Sequence, residues 1–131
     1  MRTKEEVILE IREKSIGTIT KNSSPEEKFQ NETLRPILKL QNDLFLEVFR
    51  NYATKQKGAF FLLSIEKKMH YVENAIQKDI KFRNTLKGIV IGMFTLKEYK
   101  EYIQNSSNLN KRIMTMLIER IRSQIQLFEI Q

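Results

Sequence analysis

The residues best suited to metal chemistry lie in one predicted helix. Glu66, His70 and Glu73 are spaced at i, i+4 and i+7, so a helix places all three on one face. Carboxylates and imidazoles are common ligands of zinc, iron and manganese. Asp43 and Glu47 form another carboxylate pair at i, i+4 that could complete such a site. A solvated helix face with one exposed imidazole explains the same pattern, and we favour that interpretation over a metal site.

Other arrangements of catalytic residues are missing from the sequence. The chain contains no cysteine, and its only histidine, His70, is not accompanied by a Gly-x-Ser-x-Gly nucleophile elbow. The four glycines form neither a dinucleotide-binding fingerprint nor a Walker loop. We therefore assign no catalytic residue and no cofactor. The sequence favours a non-enzymatic binding or assembly protein over a metal-dependent enzyme.

Two groups of basic residues make nucleic-acid binding an alternative function. Lys78 and Lys81 lie among aromatic and polar residues, a mixture that suits phosphate contacts and base stacking. Lys111 and Arg112 lie at the start of the last predicted helix, where a helix-turn-helix would place its recognition residues. The apolar residues of that helix leave only a narrow polar strip for such a role. We therefore rank nucleic-acid binding below a function in assembly.

The charge of the chain gives weak support to attraction for anions. The 131 residues carry a net charge of +7. Residues 1–57 contribute +2 and residues 58–131 contribute +5, so the excess is concentrated in the C-terminal part. A basic excess favours contact with nucleic acid or anionic surfaces. The chain has no block of five or more like charges, however, and a lysine-rich composition accounts for the same excess.

Polar residues interrupt helices that are otherwise apolar. They are Arg35, Asn42, Asp79, Arg83 and Asn84. A buried polar group needs a hydrogen-bond partner. We interpret these residues as groups that pair between helices or across a dimer and thereby fix the packing register. A small polar pocket is the functional alternative.

Repeated helix-start signals predict an all-α fold. The segments that begin at Thr3, Ser24 and Thr95 each place a carboxylate three residues after a hydroxyl, which fits the capping box. Apolar residues follow each cap at helical spacing. We predict a single domain over residues 1–131, a compact bundle of five or six helices of which three are long. The predicted helices cover residues 3–15, about two turns from 24, then 33–57, 65–93, 95–104 and 109–128.

Three parts of the chain leave alternatives open. Residues 1–23 contain an N-terminal helix and a polar linker, which leaves that helix mobile or lets it dock on a partner subunit. The apolar run 59–63 is a connector between helices or a short strand. The run 88–94 is helical or a buried strand. In the helical case, Gly88 and Gly92 share a face and allow another backbone to approach closely.

The distribution of apolar residues also predicts the partner and the compartment. The helix 33–57 carries apolar residues around more than one face, which is typical of a central helix or a subunit contact. We therefore expect a homodimer. No apolar run approaches the roughly 18 residues of a membrane span, and the charged start 1–6 lacks the apolar core of a signal peptide. We expect a cytoplasmic protein without membrane contact.

Three segments carry a resemblance to a known group of proteins. They are TLRPILKLQNDL at 33–44, KDIKFRN at 78–84 and QNSSNLNKR at 104–112. On these segments the chain resembles small bacterial helical proteins of about this length, some of which carry the label glyoxalase. Glyoxalase I enzymes use repeated βαβββ modules with metal ligands on strands, and glyoxalase II enzymes use a histidine-rich metal motif. With one histidine and no strand pattern, the chain supplies neither, so the resemblance implies a helical fold and no reaction.

Overall fold

The computed structural model describes residues 2–12 and 23–128, and all regular structure in those residues is helical. The predicted all-α class is therefore confirmed. The described part contains more helical segments than the five or six predicted, because two of the expected long helices are broken. The α-helices are α1 (Lys4–Ile11), α2 (Pro25–Phe29), α3 (Arg35–Leu40), α4 (Asn42–Lys55), α5 (Ile65–Lys78), α6 (Ile80–Ile91), α7 (Leu96–Gln104) and α8 (Ser106–Arg122). Gln30–Leu34 is a π-helical turn, and Ala59–Leu62 and Ile125–Leu127 are 3₁₀-helical turns.

Local capping signals determine three of the helix starts. The hydroxyls of Thr3 and Ser24 each accept a hydrogen bond from the backbone amide three residues later, at 3.2 and 3.1 Å. At α7 the predicted capping box is complete, because the Glu98 amide donates to Thr95 Oγ1 and the Thr95 amide donates to the Glu98 carboxylate. Each bond satisfies an amide that a helix start leaves unpaired. These starts therefore agree with the sequence prediction.

The expected helix 33–57 is wrong in both its start and its continuity. Helical structure begins after Ser24 and runs from α2 through the π-helical turn into α3. It then breaks at Gln41, whose backbone (φ −95°, ψ 11°) leaves the helical region. Thr33, the expected cap, is buried and donates its hydroxyl to the Glu98 carboxylate at 2.7 Å. The predicted helix start at Thr33 is wrong, because the Thr33 hydroxyl binds Glu98 and does not cap a helix.

The π-helical turn lies just before Pro36, and the missing amide hydrogen of this proline accounts for it. A proline has no amide hydrogen, so the Glu32 carbonyl cannot receive the usual bond from the residue four positions later. That carbonyl instead accepts a bond from Arg12 Nη2 at 3.2 Å. The Arg35 amide reaches back five residues to the Gln30 carbonyl, as a π-helix requires. The turn thus joins α2 to α3 and supplies a backbone acceptor to the N-terminal segment.

The expected continuous helix 65–93 is wrong, because it is broken at Asp79, one of the polar residues that interrupt its apolar pattern. Asp79 has an extended backbone (φ −89°, ψ 96°), and its Oδ1 accepts the Phe82 amide at 3.1 Å as the cap of α6. Arg83 donates to the Gln77 carbonyl at 2.9 Å and so satisfies an acceptor at the end of α5. The aspartate separates the two helices because its side chain bonds locally to the backbone.

Neither apolar run forms a strand. After Gly58, which adopts a left-handed backbone (φ 69°), residues 59–62 form a 3₁₀-helical turn that buries Phe60. Residues 88–91 belong to α6. A Cβ atom added at Gly88 would meet nothing within 4 Å, so this glycine allows no close approach within the described chain. The last helix also differs from 109–128, since α8 begins at Ser106 and ends at Arg122.

Buried side chains from most elements form one contiguous hydrophobic cluster. Phe49 of α4 is fully buried, and its ring centroid lies 5.1 to 6.4 Å from those of five other aromatic rings. These rings belong to Tyr52, Phe60, Tyr71, Phe82 and Phe128. The cluster therefore ties α4, α5, α6 and both 3₁₀ regions together. None of the described helices is long and apolar enough to cross a membrane.

A buried ion pair attaches α1 to α7. Arg12, whose side chain is 4% exposed, donates two bonds of 2.7 and 2.8 Å to the Glu98 carboxylate. Arg12 also donates to the Met93 carbonyl at 3.4 Å, and Thr33 donates to the same carboxylate. This two-pronged geometry fixes the position of the N-terminal segment. Most of the linker predicted after α1 lies in residues 13–22, outside the described part of the chain.

Candidate functional site

A groove of about 740 Å³ runs along the outer face of α8. The π-helical turn and α3 form its other side through Gln30, Arg35 and Leu38. The inner face of α8 is buried in the core, so the groove occupies the polar side of an amphipathic helix. Four of the side chains that line the groove are basic and one is acidic. The basic residues are Arg35, Lys111, Arg112 and Arg120, and the acidic residue is Glu119.

Each arginine of the groove is held by the carboxamide of a neighbouring side chain. The three bonds are Arg35 Nε to Asn31 Oδ1 (2.8 Å), Arg112 Nη1 to Gln30 Oε1 (2.7 Å) and Arg120 Nη1 to Asn42 Oδ1 (3.2 Å). A carboxamide oxygen orients a guanidinium without cancelling its charge. The guanidinium groups are therefore positioned but not neutralised.

In the described part of the chain these arginines make no close ion pair, although Glu119 lines the same groove. Among the described residues, no ion pair within 4 Å joins Arg35, Arg112 or Arg120 to an aspartate or a glutamate. Glu26 is influenced by Arg112 only weakly: its pKa is lowered first by a backbone hydrogen bond, then by the Asn105 amide, and last by the Arg112 charge. The described lining therefore has an excess of three positive charges.

The pKa of Arg120 shows the effect of the neighbouring positive charge. Burial lowers its pKa first, and the positive charge of Arg35 lowers it further. Asn42 and Gln124 hold the position of Arg120, because their carboxamides exchange two hydrogen bonds of 2.7 and 2.8 Å beside it. The partly buried Arg120 thus lies near a second positive charge, that of the exposed Arg35. A bound anion would relieve that repulsion.

The shape of the groove suits an extended ligand. Arg112 and Arg120 are eight residues apart on α8, which corresponds to about 12 Å along the helix axis. Thr115 and Ser123 add hydroxyl groups on the same helix face. Among the described residues no aromatic side chain lines the groove, so they offer no surface on which a base could stack. The arrangement therefore favours anionic groups at separated points over a flat ring system.

The groove contains some of the residues that the sequence marked for two different roles. Arg35, from the polar-pocket set, and Lys111 and Arg112, from the nucleic-acid set, all line it. Asn42, the first residue of α4, accepts a hydrogen bond from Arg120. Lys111 and Arg112 do not belong to a helix-turn-helix with its usual three- or four-residue turn, because Asn105 alone separates α7 from α8.

The other marked residues lie elsewhere. Asp79 accepts a 3.0 Å bond from the Tyr52 hydroxyl, and around this pair lie two depressions of about 600 and 350 Å³. Lys78 lines the larger depression and Lys81 the smaller one, and neither lysine lines the arginine groove. Asn84 is exposed on α6. The four lysine and arginine residues of the nucleic-acid hypothesis are therefore divided between two surfaces.

The residues of the metal hypothesis do not converge with further ligands. Glu66 and His70 are exposed on α5, and Glu73 lies 3.7 Å from Arg122. Glu47 lies 3.4 Å from Arg50 and not in a joint site with Asp43. Within the described residues, no group of three histidine, aspartate or glutamate side chains is placed to hold a metal ion.

Sequence reasoning missed Arg120 and Gln124 in the groove, and also the burial of Lys68. A signal for the groove existed: residues 112, 115, 119 and 123 are polar and recur at steps of three and four, which marks the outer face of α8. No comparable signal identified Lys68. Its ammonium group donates to the carbonyl of Phe128, 60 residues away, at 3.3 Å and lies 5.6 Å from the Phe60 ring centroid.

No protein-family model, curated protein or solved structure matches this chain. The resemblance to small bacterial helical proteins therefore stays a prediction.

Proposed function

We propose that the chain is a non-enzymatic binding protein that takes an anionic ligand in the groove between α8 and α3. The observation that carries this proposal is the set of three carboxamide-held guanidinium groups without a carboxylate partner. Proteins normally pair partly buried charges, because an unpaired charge costs free energy. A site that keeps several like charges positioned and unpaired is suited to a ligand of opposite sign.

The side-chain chemistry narrows the ligand to phosphate or carboxylate groups. An arginine presents a planar fork that matches either group through two parallel hydrogen bonds, and three of the four cations in the groove are arginines. The axial separation of about 12 Å between Arg112 and Arg120 requires at least two anionic groups for full occupation. We therefore expect a short phosphate chain or a multiply charged carboxylate compound to bind better than a single inorganic ion.

Calorimetric titration with inorganic tripolyphosphate at low ionic strength tests the proposal. The double variant Arg35→Gln/Arg120→Gln removes two charges and retains polar side chains. A hydrogen bond to a charged group contributes about 1.5–3 kcal/mol, so each substitution should weaken binding by about tenfold to a hundredfold. The affinity of the wild type should fall as salt rises, since the interaction is electrostatic.

A matched control separates the groove from the overall charge. Arg50→Gln/Arg83→Gln removes the same number of charges from surfaces outside the groove. This control should leave the affinity within a few-fold of the wild type. If both double variants lost affinity for tripolyphosphate equally, net charge alone would explain the binding, and the groove would not be the binding site.

Single-stranded nucleic acid is the second candidate ligand, and the presence of Lys111 and Arg112 in the groove favours it. The lack of an aromatic lining argues against tight binding of this kind. A titration with an oligonucleotide under the same conditions distinguishes the candidates. Binding tighter than that of tripolyphosphate, and sensitive to Arg35→Gln/Arg120→Gln, would favour nucleic acid.

A further inference from the structure

Two depressions of the surface meet at the hydrogen bond between Tyr52 and Asp79. Their volumes are about 600 and 350 Å³, and Tyr52, Gln56 and Asp79 line both of them. The larger depression lies between α4 and the C-terminal half of α5, and the smaller one lies between α4 and the first turns of α6. None of their described lining residues also lines the arginine groove. We call the two depressions together the tyrosine surface.

Two tyrosine rings line the larger depression. Tyr52 and Tyr71 are both half-buried, and their ring centroids lie 6.4 and 6.2 Å from that of Phe49. Tyr52 also stacks on Phe82 at a centroid distance of 4.0 Å. Because core rings hold the two tyrosines, their aromatic surface is in place before a ligand binds. The described lining of the arginine groove contains no such ring, so the two surfaces suit different ligands.

Three polar side chains of the larger depression make no hydrogen bond to any described residue. They are the Tyr71 hydroxyl and the carboxamides of Gln56 and Asn74. A carboxamide offers both donors and an acceptor, and a hydroxyl can act as either. The edge of a nucleobase presents a similar set of donors and acceptors. These side chains are therefore suited to a planar heteroaromatic ring.

Three lysines surround these polar groups. Lys78 lines the larger depression, and Lys55 and Lys81 line the smaller one. All three are exposed, and none forms an ion pair within 4 Å with a described carboxylate. The only acidic residue in the described lining is Asp79, whose carboxylate already accepts hydrogen bonds of 3.0 and 3.1 Å. The excess of two positive charges favours a phosphate group.

We propose that the tyrosine surface binds a nucleotide unit, with its base against Tyr52 and Tyr71 and its phosphate beside a lysine. Aromatic side chains stack on bases of every kind, and polar side chains bind their edges. The sequence marked Lys78 and Lys81 for this chemistry, and the structure adds the two rings from α4 and α5. A free nucleotide and a nucleotide within a single strand share these groups. The former needs the larger depression alone, whereas a strand continues into the smaller one.

Titration with adenosine monophosphate, followed by nuclear magnetic resonance of the isotope-labelled protein, tests the contact with the base. The side-chain amide signals of Gln56 and Asn74 should shift as the nucleotide concentration rises. Gln56→Ala/Asn74→Ala should weaken binding by about fivefold or more, because two hydrogen bonds to the base edge are lost. Ribose 5-phosphate carries the same phosphate without a base, so it should cause no comparable shift.

A matched control verifies that the effect belongs to this surface. Asn84→Ala/Gln126→Ala removes two exposed carboxamides outside both depressions, and it should bind adenosine monophosphate as the wild type does. Gln56 and Asn74 are also exposed. Both double variants should therefore keep their helices, which circular dichroism measures.

A hexamer of deoxyadenosine distinguishes a strand from a free nucleotide. A strand should bind about tenfold or more tightly than adenosine monophosphate, because it also reaches the lysines of the smaller depression. Lys55→Gln/Lys81→Gln should then remove that gain and leave the affinity for the mononucleotide within a few-fold. Equal affinities for the hexamer and the mononucleotide, both lowered by Gln56→Ala/Asn74→Ala, would assign the surface to a free nucleotide.

Three results would overturn the proposal. One is the absence of shifts with either nucleotide ligand, and another is equal binding of ribose 5-phosphate and adenosine monophosphate. The third is a loss of nucleotide binding in Arg35→Gln/Arg120→Gln but not in Gln56→Ala/Asn74→Ala, which would place the nucleotide in the arginine groove. We expect Arg35→Gln/Arg120→Gln to leave the affinity for adenosine monophosphate within a few-fold, so the outcome is independent of the anion proposal.

Discussion

The hydrogen bond between Tyr52 and Asp79 joins α4 to the start of α6 and responds to pH. The Tyr52 hydroxyl donates to Asp79 at 3.0 Å, and its ring stacks on Phe82 at a centroid distance of 4.0 Å. Burial, followed by this hydrogen bond and the charge of Asp79, raises the pKa of Tyr52 to about 12. In the unfolded chain the pKa of a tyrosine is about 10. The folded state therefore favours the neutral phenol.

Because of this pKa difference, the folded state should become less stable as the pH becomes alkaline. Because the folded pKa of Tyr52 is higher than the unfolded one, its stabilising contribution is complete below about pH 10 and is lost as the pH rises through about 12. We expect Tyr52→Phe to lose less stability than the wild type between neutral pH and about pH 11. Denaturant unfolding at both pH values measures the difference. The control Tyr99→Phe, at an exposed ring, should follow the wild type; identical curves for all three proteins would contradict the prediction.

At the scale of helices, Glu98 connects three elements. Its carboxylate accepts bonds from Arg12 of the N-terminal segment, from Thr33 of the π-helical turn and from the Thr95 cap of α7. Burial raises its pKa, but the hydrogen bonds and the Arg12 charge outweigh burial, so that the net pKa is lowered. The folded state therefore favours the ionised carboxylate.

Replacing Glu98 by glutamine should be strongly destabilising. Removal of one partner from a buried ion pair leaves the other charge uncompensated, and we expect Glu98→Gln to lower the free energy of unfolding by about 3 kcal/mol at neutral pH. Because the folded pKa of Glu98 is lowered, its contribution is present above its unfolded pKa and is lost as the pH falls through the folded pKa. The difference between wild type and variant should therefore shrink in acid. The control Glu101→Gln, exposed on the same helix, should change stability by less than about 0.5 kcal/mol.

Some helix boundaries that depend on local hydrogen bonds could be predicted from the sequence, whereas those that depend on tertiary contacts could not. The cap at Thr95 was predictable because all of its bonds lie within four residues. The breaks at Gln41 and Asp79 were not predicted. A carboxamide network with Gln124 holds the residue after Gln41. The cap at Asp79 is local, but Tyr52 of another helix also binds the same carboxylate. Likewise Arg112 could be marked by its type and position, whereas Arg120 depends on Asn42, which is 78 residues away.

At the scale of the whole molecule, the ring of Phe49 connects several helical segments of the core. It is fully buried, and the five aromatic rings around it come from four helical segments and from the residue after the last 3₁₀ turn. Its position was predictable from the apolar spacing of α4. The identity of its neighbours was not, because those contacts join residues far apart in sequence.

Truncation of this ring should destabilise the entire fold. We expect Phe49→Ala to lower the free energy of unfolding by about 4 kcal/mol, since it removes a buried ring and leaves a cavity. Chemical denaturation followed by circular dichroism and by tyrosine fluorescence measures the loss, and both probes should report one transition because the core is contiguous. Phe61→Ala, at a half-buried ring, should cost less. A loss below that of Phe61→Ala would show that the core does not depend on Phe49.

The bonds of Glu98 also determine how the folded protein fluctuates. Because Arg12 binds the Glu98 carboxylate and Glu5 accepts the Leu96 amide at 3.1 Å, detachment of α1 leaves an amide in the first turn of α7 without its partner. The N-terminal helix and the opening turn of α7 therefore form one unit of local unfolding. We expect their amide hydrogens to exchange with solvent together, and faster than those of the helices that hold the ring cluster around Phe49.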